Sequence, residues 1–193
     1  MKDRVWCEKV EAELQKLQSR VTNLERKRME SNGSCSEPAE LALEIELPEA
    51  DIGGLHFNKQ TVRGVFERGE DGNYYSRDIL FNSARDTDKG TGRDLLSEYL
   101  ESSEVKQALI NAMEKWELDN QSSFINTTNV KVFLPEALRG DGIKKYNGVD
   151  WWYWLKLRSA GSSTHFVSVT GGGGVGGTNA SSVGGCALAF CVV

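Results

Sequence analysis

Apolar residues recur at alternating steps of three and four through Cys7, Val10, Leu14, Leu17, Val21 and Leu24, so residues 3–28 are expected to form one helix with a heptad seam. About three heptads make a helix that is marginal alone in water, and the seam should be covered by other copies of itself. With Leu14 and Val21 at a positions, Arg20 falls at g and Glu25 at the following e, an arrangement that favours parallel chains. The alternative is an amphipathic helix packed on its own domain.

The period then lapses. Residues 29–38 are rich in turn formers and end at Pro38, which marks a linker. Behind it Leu41, Leu43, Ile45 and Leu47 alternate with Ala42, Glu44 and Glu46, a half-buried strand stopped by Pro48. Residues 61–67 and 74–81 flank an Asp71-Gly72 step and read as a hairpin. Tyr75, Arg77 and Asp78 on it are read as a strand face with a local ion pair rather than as catalytic groups. Leu95, Leu96 and Leu100 share one helical face, and Val105, Leu109, Ile110, Met113 and Trp116 share a second, with Ser102 and Ser103 placed to cap it.

From Leu118 to Asn129 polar residues predict a loop, and Val130, Val132 and Leu134 a short strand ending at Pro135. Gly140-Asp141-Gly142 turns the chain toward Trp151-Trp152-Tyr153-Trp154, where alternation puts Trp151 and Tyr153 on one face and Trp152 and Trp154 on the other, as core. Residues 166–170 alternate as a strand, and residues 187–193 read as a buried one. The order strand, hairpin, two helices, loop, strands predicts an α+β fold. The expected organisation is an oligomerisation and docking helix at 1–30, a linker at 31–40 and one domain at 41–193.

From Ser159 onward there is no Asp, Glu, Lys or Arg, although the whole chain is 26% charged. In their place stand Ser162, Ser163, Thr164, His165, Phe166, Ser168, Thr170, Thr178, Asn179, Ser181 and Ser182, an uncharged candidate ligand-binding surface of hydroxyls, amides and one ring. The glycine runs at 171–174 and 176–177 offer no side chains, so contacts must come from either end, and purely structural strands are the plainer alternative.

The order aromatic cluster, Trp154-Leu155-Lys156-Leu157-Arg158-Ser159-Ala160-Gly161, polar segment, Gly184-Gly185, then Ala189-Phe190-Cys191-Val192 resembles the C-terminal half of C-type-lectin-fold proteins of phages and bacteria, including retroelement-diversified variable proteins and phage tropism determinants. Cys186-Ala187-Leu188 stand where those proteins commonly carry Val-Arg-Pro. The resemblance implies a C-type-lectin-like domain behind an N-terminal coiled-coil helix, with the aromatic and Arg-Ser-x-Gly part as framework and the polar segment facing the ligand. It also implies a trimer, since phage fibres of this kind are often threefold.

Little in the sequence points to catalysis. Cys7, Cys35, Cys186 and Cys191 lack zinc-ligand spacing and are expected as free thiols; Cys186 and Cys191 would face opposite sides of one continuous strand. His56 and His165 are far apart in sequence, and no Gly-x-Ser-x-Gly elbow accompanies them. Lys89-Gly90-Thr91-Gly92 lacks the phosphate-loop spacing. No catalytic residue, metal site or cofactor is therefore expected. A net charge of −5 argues against nucleic acid as a partner. The first residues carry no apolar signal core and no stretch is long enough to span a membrane, so synthesis in the host cytoplasm and no membrane insertion are expected.

These readings converge on a phage tail-fibre or host-attachment protein: an oligomer that binds other virion proteins through its N-terminal helix and a host cell-surface ligand through its uncharged surface. A structural fibre or decoration subunit is the second reading. An enzyme or accessory of the formylglycine-generating superfamily, which shares the lectin-like fold, is the third.

Overall fold

The computed structural model describes residues 37–122 and 130–192, and from Pro38 onward the chain forms one unit. The seam of Cys7, Val10, Leu14, Leu17, Val21 and Leu24 lies outside the described residues. The unit is α+β and rich in sheet. Strand β1 (Glu40–Leu47) buries Leu41, Leu43, Ile45 and Leu47 and leaves Glu40 and Glu46 in water, as its alternation demands. Burial of each such side chain stabilises the strand by about 1.5–3 kcal/mol.

Beyond Pro48 lies a small hairpin that the sequence reading did not anticipate, β2 (Ala50–Ile52) with β3 (Leu55–Phe57). Gly53 turns it with a φ of 57°, and a Cβ there would come within 2.7 Å of Leu95, so only glycine lets the turn settle on the helix below. Tyr99 pins the hairpin from beneath: its hydroxyl donates to the Pro48 carbonyl at 2.7 Å and its ring stacks on Phe57 at 4.1 Å.

Strand β4 (Gln60–Arg68) pairs with β1 along its length, and the Asp71-Gly72 turn leads into β5 (Tyr74–Ser76). The expected hairpin stops there. Residues 77–80 leave the sheet, and β6 (Phe81–Ser83) joins the other one. Two interactions divert the chain: the Ser76 N–H donates to the Leu188 carbonyl at 2.8 Å, and Lys144 Nζ takes the carbonyls of Ser76 and Arg77 at 2.5 and 2.9 Å. Arg77 pairs with Glu67 and Glu40 on the exposed strand face.

Helix α1 (Leu95–Leu100) starts at Asp94, whose carboxylate accepts from the Ser97 N–H at 3.2 Å. Helix α2 (Ser103–Asn120) starts at Ser102, whose hydroxyl accepts from the Val105 N–H at 3.3 Å. Val105, Leu109, Ala112 and Met113 form the buried stripe of α2. The helix runs past Leu118, where polar composition predicted a loop; Leu118, Asp119 and Asn120 form an exposed last turn, which a helix tolerates as readily as a loop does.

Strand β7 (Val130–Phe133) follows, then a hairpin of β8 (Lys144–Tyr146) with β9 (Val149–Trp151). Asn147 and Gly148 close it with φ of 52° and 81°, the left-handed pair that suits hairpin twist. Next come β10 (Tyr153–Arg158), β11 (His165–Val169), β12 (Val175–Asn179), β13 (Gly184–Cys186) and β14 (Ala189–Val192). The first sheet has the order β1-β4-β5-β14-β7 and the second β12-β11-β10-β13-β6. The buried strand expected at 187–193 is β14, and the preceding Gly184–Cys186 is a separate strand in the other sheet, with the crossing at Ala187 and Leu188, so Cys186 and Cys191 do not share one strand. Cys186 and Cys191 are both free, one buried in the second sheet and the other half-buried in the first.

Phe190 of β14 packs at 5.2 Å from Phe66 and 5.1 Å from Tyr74, and the main core continues to Trp154, Phe166 and Cys186 of the second sheet. Ile79, Tyr153, Leu155, Val169 and Ala187 form a smaller cluster. Alternation therefore divides Trp154 from Tyr153 as expected. Trp152 lies edge-on to Trp154 at 5.0 Å.

Candidate functional site

Between Trp154 and Arg158 the pairing of β10 with β11 slips, because four residues of β10 span two of β11. The slip would leave β10 carbonyls without partners. Arg85, fully buried, fills that need: its guanidinium donates to the carbonyls of Leu155 and Lys156, pairs with Asp94 at the head of α1, and lies 3.9 Å from the centre of the Phe166 ring. One side chain thereby ties the second sheet to the helices.

On this frame sits a groove of about 440 Å³ lined by Asp150, Trp151, Trp152, Ser168, Thr170, Gly171 and Thr178. Each part has a local cause. The tight Asn147-Gly148 turn starts β9, whose last residue, Trp151, pairs with Lys144 and is 40% exposed at the rim. Glycine at 171 lets the next turn approach: a Cβ there would meet the Asp150 carbonyl at 3.1 Å. That turn closes through Thr170, whose N–H donates to the Gly174 carbonyl at 2.7 Å and whose hydroxyl accepts from the Gly174 N–H at 3.0 Å. Ser168 and Thr178 lie on neighbouring strands with their hydroxyls 2.6 Å apart, so one of the two protons is committed between them and the other is available.

The eleven residues expected to form the ligand surface are therefore not one patch. Ser168, Thr170 and Thr178 come together in the groove. Ser162, Ser163, Thr164 and His165 gather at the opposite end of β11, where Ser162 and Thr164 hydroxyls lie 2.9 and 3.1 Å from His165 Nδ1 and the Ser163 carbonyl accepts from Arg158. Asn179, Ser181 and Ser182 border that end, since the Asn179 side chain caps Ser181 and its carbonyl accepts from the Ser182 N–H at 3.0 Å. Much of their polarity is spent on one another. Phe166 is a correction: it is 1% exposed, with the guanidinium groups of Arg85 and Arg158 at 3.9 and 4.6 Å from its ring centre, so it is core and offers no face to a ligand. Strand alternation puts Phe166 and Ser168 on the same side; Phe166 is enclosed by the two guanidinium groups, whereas Ser168, 4% exposed, lies at the floor of the groove.

Trp151 and Trp152 are expected as core through alternation over one unbroken strand, but β9 ends at Trp151 and β10 begins at Tyr153, which leaves Trp151 exposed and puts both indoles on the groove. Asp150 carries no signal of its own. The Asn147-Gly148 step is the available signal, as it marks a hairpin turn and so makes residues 149–151 the second strand of a hairpin separate from β10.

Other polar clusters are internally satisfied. Asp86 accepts from the N–H groups of Thr87, Thr91 and Gly92 and from the Thr91 hydroxyl, so the Gly90-Thr91-Gly92 loop already encloses an anion of its own. Burial pushes the Asp86 pKa up, but the bonds from Thr91, Thr87 and Gly92 outweigh it and hold the carboxyl below its ordinary value. Burial pushes the Cys186 thiol far up, which removes it as a nucleophile. His56 is exposed and bonded to Asp51 and Asn58. Among the described residues no group of three or more His, Cys, Asp or Glu is placed to hold a metal ion, and no helix is long and apolar enough to cross a membrane.

No protein-family model matches the sequence, and neither a characterised protein nor a solved structure gives a match.

Proposed function

We propose that this chain is a host-attachment module of the phage tail-fibre type, which binds a neutral, hydroxyl-rich ligand such as a cell-surface saccharide in the groove beside Trp151. The observation that carries the reading is the juxtaposition of a half-exposed indole with the hydroxyls of Ser168, Thr170 and Thr178 and the single carboxylate of Asp150. A saccharide ring presents a C–H face that packs on an aromatic plane and hydroxyls that exchange hydrogen bonds with hydroxyls and carboxylates. A C-type-lectin-like domain accords with two helices beside irregular sheets and with the resemblance at residues 151–161 and 184–192. Such a shallow site binds weakly by itself. Display on a trimeric stalk built from the heptad seam at the N-terminus would raise avidity through effective concentration, and would place the protein in the virion.

The test is adsorption of the purified full chain to host cells and to immobilised neutral glycans. Trp151→Ala should abolish adsorption while leaving the melting temperature near that of the wild type. Exchange of Ser162, Ser163 and Thr164 for glycine should leave adsorption largely intact. Loss of adsorption in the second variant with retention in the first would transfer the site to the other end of β11. Absence of adsorption by the wild type, with oligomers still forming, would favour the structural-subunit reading.

A further inference from the structure

A second depression lies on the outer face of the first sheet and belongs to no part of the proposed groove. It encloses about 690 Å³ between the β4–β5 turn, β7, β14 and the segment after Pro135, a size that suits a small organic molecule. Its two carboxylates are engaged. Asp71 accepts from the Tyr75 hydroxyl at 2.6 Å, the Asn73 N–H at 3.2 Å and Arg139 at 2.8 Å. Glu136 is held by Lys156 at 3.1 Å.

The cations are less fully used. Arg139 directs one nitrogen to Asp71 while its plane lies 3.4 Å from the centre of the Tyr75 ring, which fixes the fork and leaves further N–H groups to donate. Lys131 makes no ion pair among the described residues. With Lys131, Arg139 and Lys156 against Asp71 and Glu136, the cleft carries a formal +1 on a chain of −5. Phe133, Leu138 and Cys191 give it an apolar side.

We infer that this cleft is a binding site for a small carboxylate-bearing organic molecule, of the class of acidic sugars, with Arg139 and Lys131 receiving the carboxylate and the apolar side receiving the carbon skeleton. A planar guanidinium with N–H groups beyond the one that Asp71 takes matches a carboxylate geometrically, and Lys131 adds a charge that neither Asp71 nor Glu136 takes up.

Cys191 supplies the readout. It is half-buried in the cleft wall, whereas Cys186 is fully buried and serves as an internal control for unfolding. Both lie in one tryptic peptide, because no Lys or Arg follows Arg158. Iodoacetamide labelling of the full chain is followed by mass mapping with D-glucuronate, D-glucose or inorganic sulfate as probes. Glucuronate should slow Cys191 labelling and shift the amide resonances of Lys131 and Arg139; glucose and sulfate should not. Lys131→Gln, which disturbs no ion pair, should weaken the protection about tenfold, the factor expected for one charge-assisted contact, and Arg139→Gln should weaken it further. Unchanged labelling with glucuronate at concentrations on the order of 10 mM, where even a millimolar site would fill, overturns the inference. Equal protection by sulfate overturns its organic part, and equal protection by glucose its ionic part. Trp151→Ala should leave the protection unaltered, so failure here is separable from failure of the groove.

Discussion

Replacement of Arg85 by methionine tests whether a single buried cation holds the second sheet to the helices. The side chain is fully buried, and it serves Asp94, the Leu155 carbonyl and the Lys156 carbonyl at once. Methionine fills similar space without a donor, so the two carbonyls lose a partner and Asp94 loses its counter-charge. Removing one member of a buried pair costs about 3–5 kcal/mol. The Asp94 side chain keeps 21% of its exposure, so water recovers part of that loss and the lower end, about 3 kcal/mol, is expected. At about 2–4 °C per kcal/mol for a chain of this size, the melting temperature should fall by roughly 6–12 °C.

Asp94→Asn keeps the cap of α1, because asparagine caps as well as aspartate, and removes only the charge. A cycle of the two single variants and the double variant, read by urea unfolding with tryptophan fluorescence, should give a coupling energy of about 1–3 kcal/mol. An Arg85→Met protein within about 1 kcal/mol of the wild type, or a cycle with no coupling, would refute the argument. In that case hydrophobic packing around Phe166 and Trp154 would carry the frame alone.

Gly184→Ala places a Cβ 2.3 Å from the Trp152 ring and should cost about 1–3 kcal/mol by overpacking, visible as a lower urea midpoint and an altered near-ultraviolet spectrum. Asp86 has its folded pKa depressed below its ordinary 3.8, so the folded state binds fewer protons than the unfolded one; its contribution is full above that value and is lost as pH falls through the folded pKa. Asp86→Asn should therefore be less stable at neutral pH and show a flatter decline of urea midpoint below about pH 4.

Patterning exposed a good part of this architecture in advance. The inward leucines of β1, the Asp71-Gly72 turn, the Ser102 cap and the division of Tyr153 from Trp154 all follow from local periodicity or local turn chemistry. What escaped depends on partners distant in sequence. Residues 74–81 look like one strand, yet they serve two sheets because β14 and Lys144 claim the positions beside β5. Phe166 looks like a surface ring in a polar segment, yet Arg85, some eighty positions earlier, draws it inward. The groove was half legible for the same reason: its hydroxyls were visible as a charge-free composition, but the indole that faces them is brought in by a separate hairpin.

The crossing at Leu188 has a consequence for how the protein is made. Strand β14 sits between β5 and β7, so the first sheet is two unconnected pieces until residues 189–192 leave the ribosome. Phe190, the ring that joins Phe66 to Tyr74, arrives with them. Nascent chains stalled even slightly short of residue 189 should expose the unfilled slot between β5 and β7 to chaperones and proteases.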